Sequence, residues 1–146
     1  MKAINELKTV FPSLSCNEAL ARSLAAGFAA QCDPTVDELA DIRTAVSEAV
    51  TNCIVHAYAD CLGEIVMTLK RFPGGRLQIK IRDRGCGIKD VQKAREPLFT
   101  TGGEERSGLG FSVMESLTDK IRVTSHLGRG TVVTLEKYIA GRRKEG

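Results

Sequence analysis

No run of apolar residues in this sequence approaches the roughly 20 residues that a membrane-spanning helix requires. The first residues turn polar at Asn5 and Glu6 and lack the apolar core of a secretory signal peptide. The five cysteines form neither a C-x-x-C pair nor a metal-finger spacing, and their odd number is typical of free thiols in a reducing compartment. We therefore expect a cytoplasmic chain with no membrane contact.

A large excess of charge of one sign is also missing. The formal net charge of +3 is small and spread along the chain, so it gives no ground for expecting direct binding to nucleic acid. No internal repeat and no low-complexity linker divides the 146 residues, and this length lies within the roughly 100–200 residues of one domain. Residues 1–146 are expected to form a single domain.

The hydrophobic pattern predicts an α+β fold. A capping-box pattern over residues 15–18 predicts a first helix that ends near Gln31. Asp33-Pro34 and a second capping box over residues 35–38 predict a long amphipathic helix to about Tyr58. Strands are predicted over 4–11, 64–72, 76–83, 121–125 and 131–138, a short helix over 89–94, a mobile loop over 97–107 and a helix over 108–117.

The long helix carries three polar residues in one stripe. Glu48, Asn52 and His56 follow i, i+4, i+8 spacing and so share one side of an α-helix. An amide oxygen such as that of Asn52 suits Mg²⁺, which takes few protein ligands, and a carboxylate one turn earlier can act as a general base. The alternative is that these are simply solvated polar positions.

A carboxylate with two glycines follows the third predicted strand. Asp83 ends an alternating segment, and Gly85 and Gly87 come two and four residues later. A carboxylate fixed there can accept a hydrogen bond from an exocyclic amine such as that of adenine, and glycines let the backbone approach a flat ring. A plain turn with an Asx-type hydrogen bond is the alternative.

Two more glycine segments complete the pattern. Ser107-Gly108-Leu109-Gly110 precedes a predicted helix, whose first amides and dipole favour a phosphate, although a simple loop-to-helix junction has the same pattern. Residues 128–131 form a second glycine-containing segment, in a predicted hairpin. Because the sequence contains neither a G-x-x-x-x-G-K-[ST] motif nor an early G-x-G-x-x-G, it lacks the P-loop and Rossmann signatures.

Together these segments resemble a known superfamily. E-x-x-x-N on a helix, D-x-G-x-G after a strand and G-x-G at a later helix are similar to the N, G1 and G2 boxes of the Bergerat-fold ATPases. Within that superfamily, the resemblance is greatest to the small anti-sigma serine kinases of the sporulation type. It extends over nearly the whole chain.

The resemblance implies a two-layer α/β sandwich whose mixed, mostly antiparallel sheet is covered on one face by helices. It also implies a homodimeric anti-sigma factor that binds ATP or ADP with Mg²⁺ and inhibits a sigma F-like sigma factor. With ATP, such a protein phosphorylates a serine on an anti-anti-sigma antagonist. A stress-response (sigma B-like) system and a non-catalytic nucleotide-gated module remain alternatives.

The resemblance also implies roles for individual residues. Glu48 would be the catalytic base, Asn52 the Mg²⁺ ligand, Asp83 the acceptor of the adenine amine and Arg22 a partner-binding residue. The nucleoside would be lined by His56, Gly85, Gly87 and Thr131, and the phosphates covered by Thr100, Thr101, Arg106, Ser107, Gly108, Leu109 and Gly110.

Overall fold

A computed structural model of the protein describes residues 2–58, 61–85, 105–126 and 128–140; of residues 105–110 it describes the backbone alone. The strands in these residues are β1 (Asn5–Pro12), β2 (Glu64–Phe72), β3 (Arg76–Arg82), β4 (Lys120–His126) and β5 (Gly130–Tyr138). The α-helices are α1 (Asn17–Ala29), α2 (Val36–Asn52) and α3 (Glu105–Leu117). The predictions over 89–94 and 97–104 lie outside the described residues.

The five strands form one sheet in the order β1-β2-β3-β5-β4. Every described pairing is antiparallel, so the expected mixed sheet is antiparallel throughout this part of the chain. Tight connections set the register: Pro73, Gly74 and Gly75 join β2 to β3, with positive φ at both glycines. In one transverse row, Leu69 pairs with Leu7 and Ile79, and Ile79 pairs with Leu135. Such rows make one face of the sheet apolar.

The helices cover that apolar face and form the second layer. Phe28 of α1, Ile42 and Val50 of α2, and Met114 of α3 are buried in one cluster with the strand residues. Helix α2 lies in the middle of this layer, in contact with both α1 and α3. This position brings the end of α2 to the end of β3. Among the described residues, every helix falls short of the length and hydrophobicity needed to span a bilayer.

The predicted capping box at the start of α1 is wrong. Helix α1 begins at Asn17, and no side chain caps it. The main-chain N–H of Glu18 donates to the carbonyl of Ser15 rather than to its hydroxyl. The Glu18 carboxylate instead accepts a hydrogen bond from the buried Thr51 hydroxyl at 3.0 Å. A contact between helices has therefore replaced the local cap.

The predicted capping box at the start of α2 is confirmed. The Thr35 hydroxyl accepts from the N–H of Glu38 at 3.1 Å, and the Glu38 carboxylate accepts from the N–H of Thr35 at 2.9 Å. Asp33 does not cap this helix, because it ends the short 3-10 turn before it in a left-handed conformation with φ of 52°. The link between α1 and α2 is thus shaped by local features, the left-handed Asp33 at one end and the Thr35 capping box at the other.

Helix α3 begins earlier than predicted. Its backbone is helical from Glu105, so residues 105–107 belong to the helix and not to the predicted loop. Its end at Leu117 agrees with the prediction. Gly108 and Gly110 therefore lie within the first two turns of α3 rather than before it.

Candidate functional site

The last turn of α2 and the end of β3 meet at a buried contact. Cys53, the residue after Asn52, places its Sγ 3.5 Å from Oδ2 of Asp83, the residue after β3. Both residues are buried, with 4% and 7% of their surface exposed. Since α2 also carries Glu48 and Asn52, the contact brings two of the sequence-predicted segments together.

The Asp83 carboxylate is held by main-chain amides. Its Oδ1 accepts the N–H of Gly85 at 2.9 Å and the N–H of Thr131 at 3.2 Å. The main chains of Asp83 and Thr131 also exchange hydrogen bonds of 3.0 and 3.3 Å. The Asx-type turn that the sequence offered as an alternative is therefore present, and β5 adds a second donor to it. These bonds fix the orientation of the carboxylate.

Burial raises the pKa of Asp83, and the hydrogen bonds from Gly85, Cys53 and Thr131 oppose that rise. An ionised carboxylate out of water is costly unless donors surround it. Oδ2 receives one described donor, the Cys53 thiol, whereas Oδ1 receives two. Because each carboxylate oxygen offers about two acceptor sites, Oδ2 keeps the capacity to accept from a ligand amine.

Tyr58 joins three elements around this carboxylate. Its hydroxyl donates to the carbonyl of Glu64 at 2.8 Å and accepts from the N–H of Arg84 at 2.6 Å. Burial raises the pKa of the Tyr58 hydroxyl, which keeps it protonated and able to make both contacts. The start of β2, the end of the long helix and the turn after β3 are thereby held together.

Two glycines permit the close approach of these segments. A Cβ on Gly85 would collide with Ala57, at the end of the long helix, and a Cβ on Gly130 would collide with the main chain of Asp83. Gly130 also has a φ of +110°, which L side chains rarely adopt. Gly128 in the same hairpin has a φ of +78°, but apart from its chain neighbours no described atom lies within 4 Å of where its Cβ would be.

This difference gives a matched pair of variants. Gly128→Ala is expected to cost about 1–2 kcal/mol of unfolding free energy, because only the backbone conformation is disfavoured. Gly130→Ala should cost a further ~1–3 kcal/mol, because its methyl group displaces the Asp83 main chain. Urea denaturation of both variants measures the difference. Equal losses would contradict the close approach of the hairpin to Asp83.

Helix α2 does not continue as an ideal α-helix beyond Asn52. Residues Cys53–Ala57 form a π turn, closed by the N–H of Tyr58 on the carbonyl of Cys53 at 3.0 Å. The α-helical spacing that predicted a single stripe therefore holds from Glu48 to Asn52 but not to His56. His56 is half-buried in this turn. Such turns occur often at functional sites.

The Asn52 side chain has a buried polar atom whose hydrogen-bonding capacity is unused among the described residues. Its Nδ2 is buried and has no hydrogen-bond partner among the described residues. A half-turn about the last side-chain torsion exchanges nitrogen and oxygen, so either amide atom can face a ligand here. An amide oxygen fits Mg²⁺, which keeps waters and phosphate oxygens besides its few protein ligands. No cluster of three or more metal-binding His, Cys, Asp or Glu occurs in the described part of the chain.

Arg22 lies closer to the predicted catalytic segment than its position on α1 indicated. Its Nη1 donates to the Ser47 hydroxyl at 3.3 Å and lies 3.8 Å from a Glu18 carboxylate oxygen. Ser47 precedes Glu48, which is itself half-buried. The Arg22 side chain is still 39% exposed, so it contacts α2 and remains accessible to solvent.

Comparison with known proteins assigns the family. Residues 11–137 match the model of the histidine kinase-like ATPase domain. The anti-sigma F factor of Thermoanaerobacter sp. (strain X514) is 50% identical over 141 residues, which cover 95% of this chain and 97% of that protein. This chain belongs to the anti-sigma F factor family of histidine kinase-like ATPases. The anti-sigma F factor of Caldanaerobacter subterraneus subsp. tengcongensis is 49% identical and is covered over its full length.

Solved structures agree with the fold of this family. The RsbU and RsbW domains of a Mycobacterium tuberculosis protein match 92% of this chain with a TM-score of 0.68 at 22% identity. The histidine kinase domain of a blue-light activated kinase from Erythrobacter litoralis matches 72% with a TM-score of 0.53 at 26% identity. The chain spans 32% and 46% of those two chains, so the likeness concerns a part of each.

The remaining predicted residues fall into two groups. Gly87, Thr100 and Thr101 lie outside the described residues. Arg106, Ser107, Gly108, Leu109 and Gly110 lie in the first two turns of α3, where the backbone alone is described. The predicted role of Gly87 at the nucleoside and those of the other seven residues at the phosphates stay predictions for this anti-sigma F factor homologue.

Sequence reasoning missed two residues of the site. In the sequence, Cys53 falls at an apolar position of the long amphipathic helix, and Tyr58 marks only the end of that helix. A signal for Cys53 exists in the sequence, since it follows Asn52 directly. Its contact with Asp83 nevertheless spans 30 positions and depends on how α2 packs on the sheet.

Proposed function

We propose that the chain is an anti-sigma factor with ATP-dependent protein serine kinase activity. It binds and inhibits a sporulation sigma factor of the sigma F type in the cytoplasm. Using Mg-ATP, it phosphorylates a serine on its anti-anti-sigma antagonist, and it works as a homodimer. The names of the similar proteins support the anti-sigma role, and the histidine kinase-like ATPase family supports ATP as the nucleotide.

One structural observation is the main support for assigning a nucleotide site to this part of the chain. The Asp83 carboxylate is 7% exposed, its orientation is fixed by two main-chain donors, and its other oxygen retains acceptor capacity. A 6-amino purine supplies the donor that this oxygen needs, whereas a 6-oxo purine presents a second acceptor. The geometry therefore favours adenine over guanine or hypoxanthine.

The phosphates are assigned to the space beside Asn52 and the start of α3. Asn52 follows the turn that carries Glu48 and precedes the Cys53 contact with Asp83, so nucleoside and phosphate groups would lie along the end of α2. The first main-chain amides of α3 and its dipole attract anions. When bound, Mg²⁺ would neutralise charge on the transferred phosphoryl group.

Glu48 is assigned as the base for the substrate serine. It lies one helical turn before Asn52, about 6 Å along the axis, and is half-buried. Phosphoryl transfer depends on in-line positioning and charge stabilisation, so the chain needs little covalent chemistry. Arg22, in contact with Ser47 beside Glu48, would bind the partner protein close to this base.

The experiment is transfer of labelled γ-phosphate to the cognate antagonist protein. The purified chain, Mg-ATP and the antagonist are mixed, and phosphoserine is located by mass spectrometry. The matched control is the same antagonist with its acceptor serine replaced by alanine. We expect stoichiometric labelling that needs that serine. Binding of ATP and sigma factor without labelling would instead select a nucleotide-gated binding module.

A further inference from the structure

Cys53 makes a contact to which the proposed function assigns no role. Its Sγ lies 3.5 Å from Oδ2 of Asp83, the oxygen that the amides of Gly85 and Thr131 do not contact. Cys53 is 4% exposed and opens the π turn directly after Asn52. The contact thus links the helix that carries Asn52 to the functional oxygen of the carboxylate.

The Cys53 thiol is the donor of this pair, because an ionised carboxylate can only accept hydrogen bonds. Although S–H is a weak donor, a carboxylate is a strong acceptor, and their hydrogen bond strengthens away from water.

The other groups that face Asp83 do not replace the thiol. Two further polar groups of the described chain lie nearby: Tyr58, at the end of the long helix, which is close enough to Asp83 to be affected by its charge, and Arg84, the next residue in the turn. The Tyr58 hydroxyl directs its hydrogen to the Glu64 carbonyl, and the side chain of Arg84 is exposed. In this part of the chain, the thiol is therefore the side chain that donates to Oδ2, while the main-chain amides hold Oδ1.

We infer that Cys53 is a positioning and specificity-determining residue of the nucleotide site. Its thiol occupies one acceptor site of Oδ2 and so directs the remaining one towards the purine amine. The residue sets the preference for a 6-amino over a 6-oxo purine without touching the nucleotide. This inference rests on the proposed nucleotide function of Asp83.

The test compares ATP with inosine triphosphate (ITP), which carries a carbonyl oxygen in place of the adenine amine. In Cys53→Ala, ATP affinity should fall about threefold to tenfold while ITP affinity changes less than about twofold. The control is Cys32→Ala, a half-buried thiol packed against the same core, which should leave the ATP:ITP ratio unchanged. Isothermal titration calorimetry measures both affinities.

A second variant separates the hydrogen bond from packing. Cys53→Ser replaces the sulfur with a smaller oxygen atom and keeps a donor, whereas Cys53→Ala removes both the γ atom and the donor. We expect Cys53→Ser to restore most of the ATP:ITP ratio. Equal losses of ATP and ITP affinity in both variants would mean that Cys53 only fills space, and would overturn the inference.

The pH dependence of ATP affinity is an independent readout. Because the thiol hydrogen bond lowers the pKa of Asp83, its removal should raise that pKa. On acidification, ATP affinity should therefore begin to fall at a higher pH in Cys53→Ala than in the wild type. Superimposable pH profiles would also overturn the inference.

The contact itself is tested without nucleotide. The infrared S–H stretching band that disappears in Cys53→Ala should move to higher frequency in Asp83→Asn, because the carboxylate acceptor is lost. An unmoved band contradicts the contact.

A wild type that binds no ATP would overturn both the proposed function and this inference. A wild type that prefers ATP, with an unchanged ratio in Cys53→Ala, would overturn the inference alone.

Discussion

Asp83→Asn is expected to lower ATP affinity by about a hundredfold and to remove the preference for ATP over ITP. The asparagine oxygen can keep the two main-chain donors that Oδ1 now accepts. Its amide nitrogen then replaces Oδ2 and presents a donor to the base. That donor opposes the adenine amine and matches the carbonyl of ITP. Calorimetric titration with ATP and with ITP measures the loss of the preference for ATP.

The same variant should fold at least as well as the wild type at neutral pH. Because burial raises the pKa of Asp83, the folded chain holds this proton more tightly than the unfolded chain does. The contribution of Asp83 to the free energy of unfolding therefore falls as pH rises through its folded-state pKa. Asp83→Asn lacks this dependence. Loss of both nucleotide binding and thermal stability at neutral pH would point to a structural carboxylate instead.

Glu48→Ala is expected to slow phosphate transfer to the antagonist by about 10²–10⁴-fold, the usual contribution of a general base. ATP affinity and sigma binding should persist, because neither Asp83 nor Asn52 changes. Single-turnover labelling with γ-labelled ATP measures the rate. Glu48→Gln should behave alike, since it keeps the size of the side chain but cannot take a proton.

Glu64→Gln provides the control for removing a negative charge, because this side chain is exposed at the start of β2. Its transfer rate should equal that of the wild type. Full activity of Glu48→Ala would reject the assigned base and leave the nucleotide site untouched. Loss of ATP binding in Glu48→Ala would place this residue in nucleotide binding rather than in catalysis.

Local patterns predicted most of the fold. Strand alternation, the turn at Gly74 and Gly75 and the capping box at Thr35 depend on neighbouring residues, and each agrees with the structure. The capping box at Ser15 failed because Glu18 contacts Thr51, 33 positions away. Local signals therefore fail where a tertiary contact competes for the same side chain.

In the candidate site too, the local contacts were predictable from the sequence and the contacts between distant segments were not. The spacing of Asp83 and Gly85 predicted a fixed carboxylate, and the amide contact with Gly85 is local. The donors from Thr131 and Cys53 come from distant segments and carry no short-range signal. The π turn at His56 likewise breaks the spacing that placed three polar residues in one stripe.

The wild-type titration with ATP and ITP in magnesium buffer tests the central claim most directly. If the ends of α2 and β3 form an adenine site around Asp83, ATP should bind at one site per chain and at least about tenfold more tightly than ITP. Equal affinities, or no binding of ATP, would contradict the site.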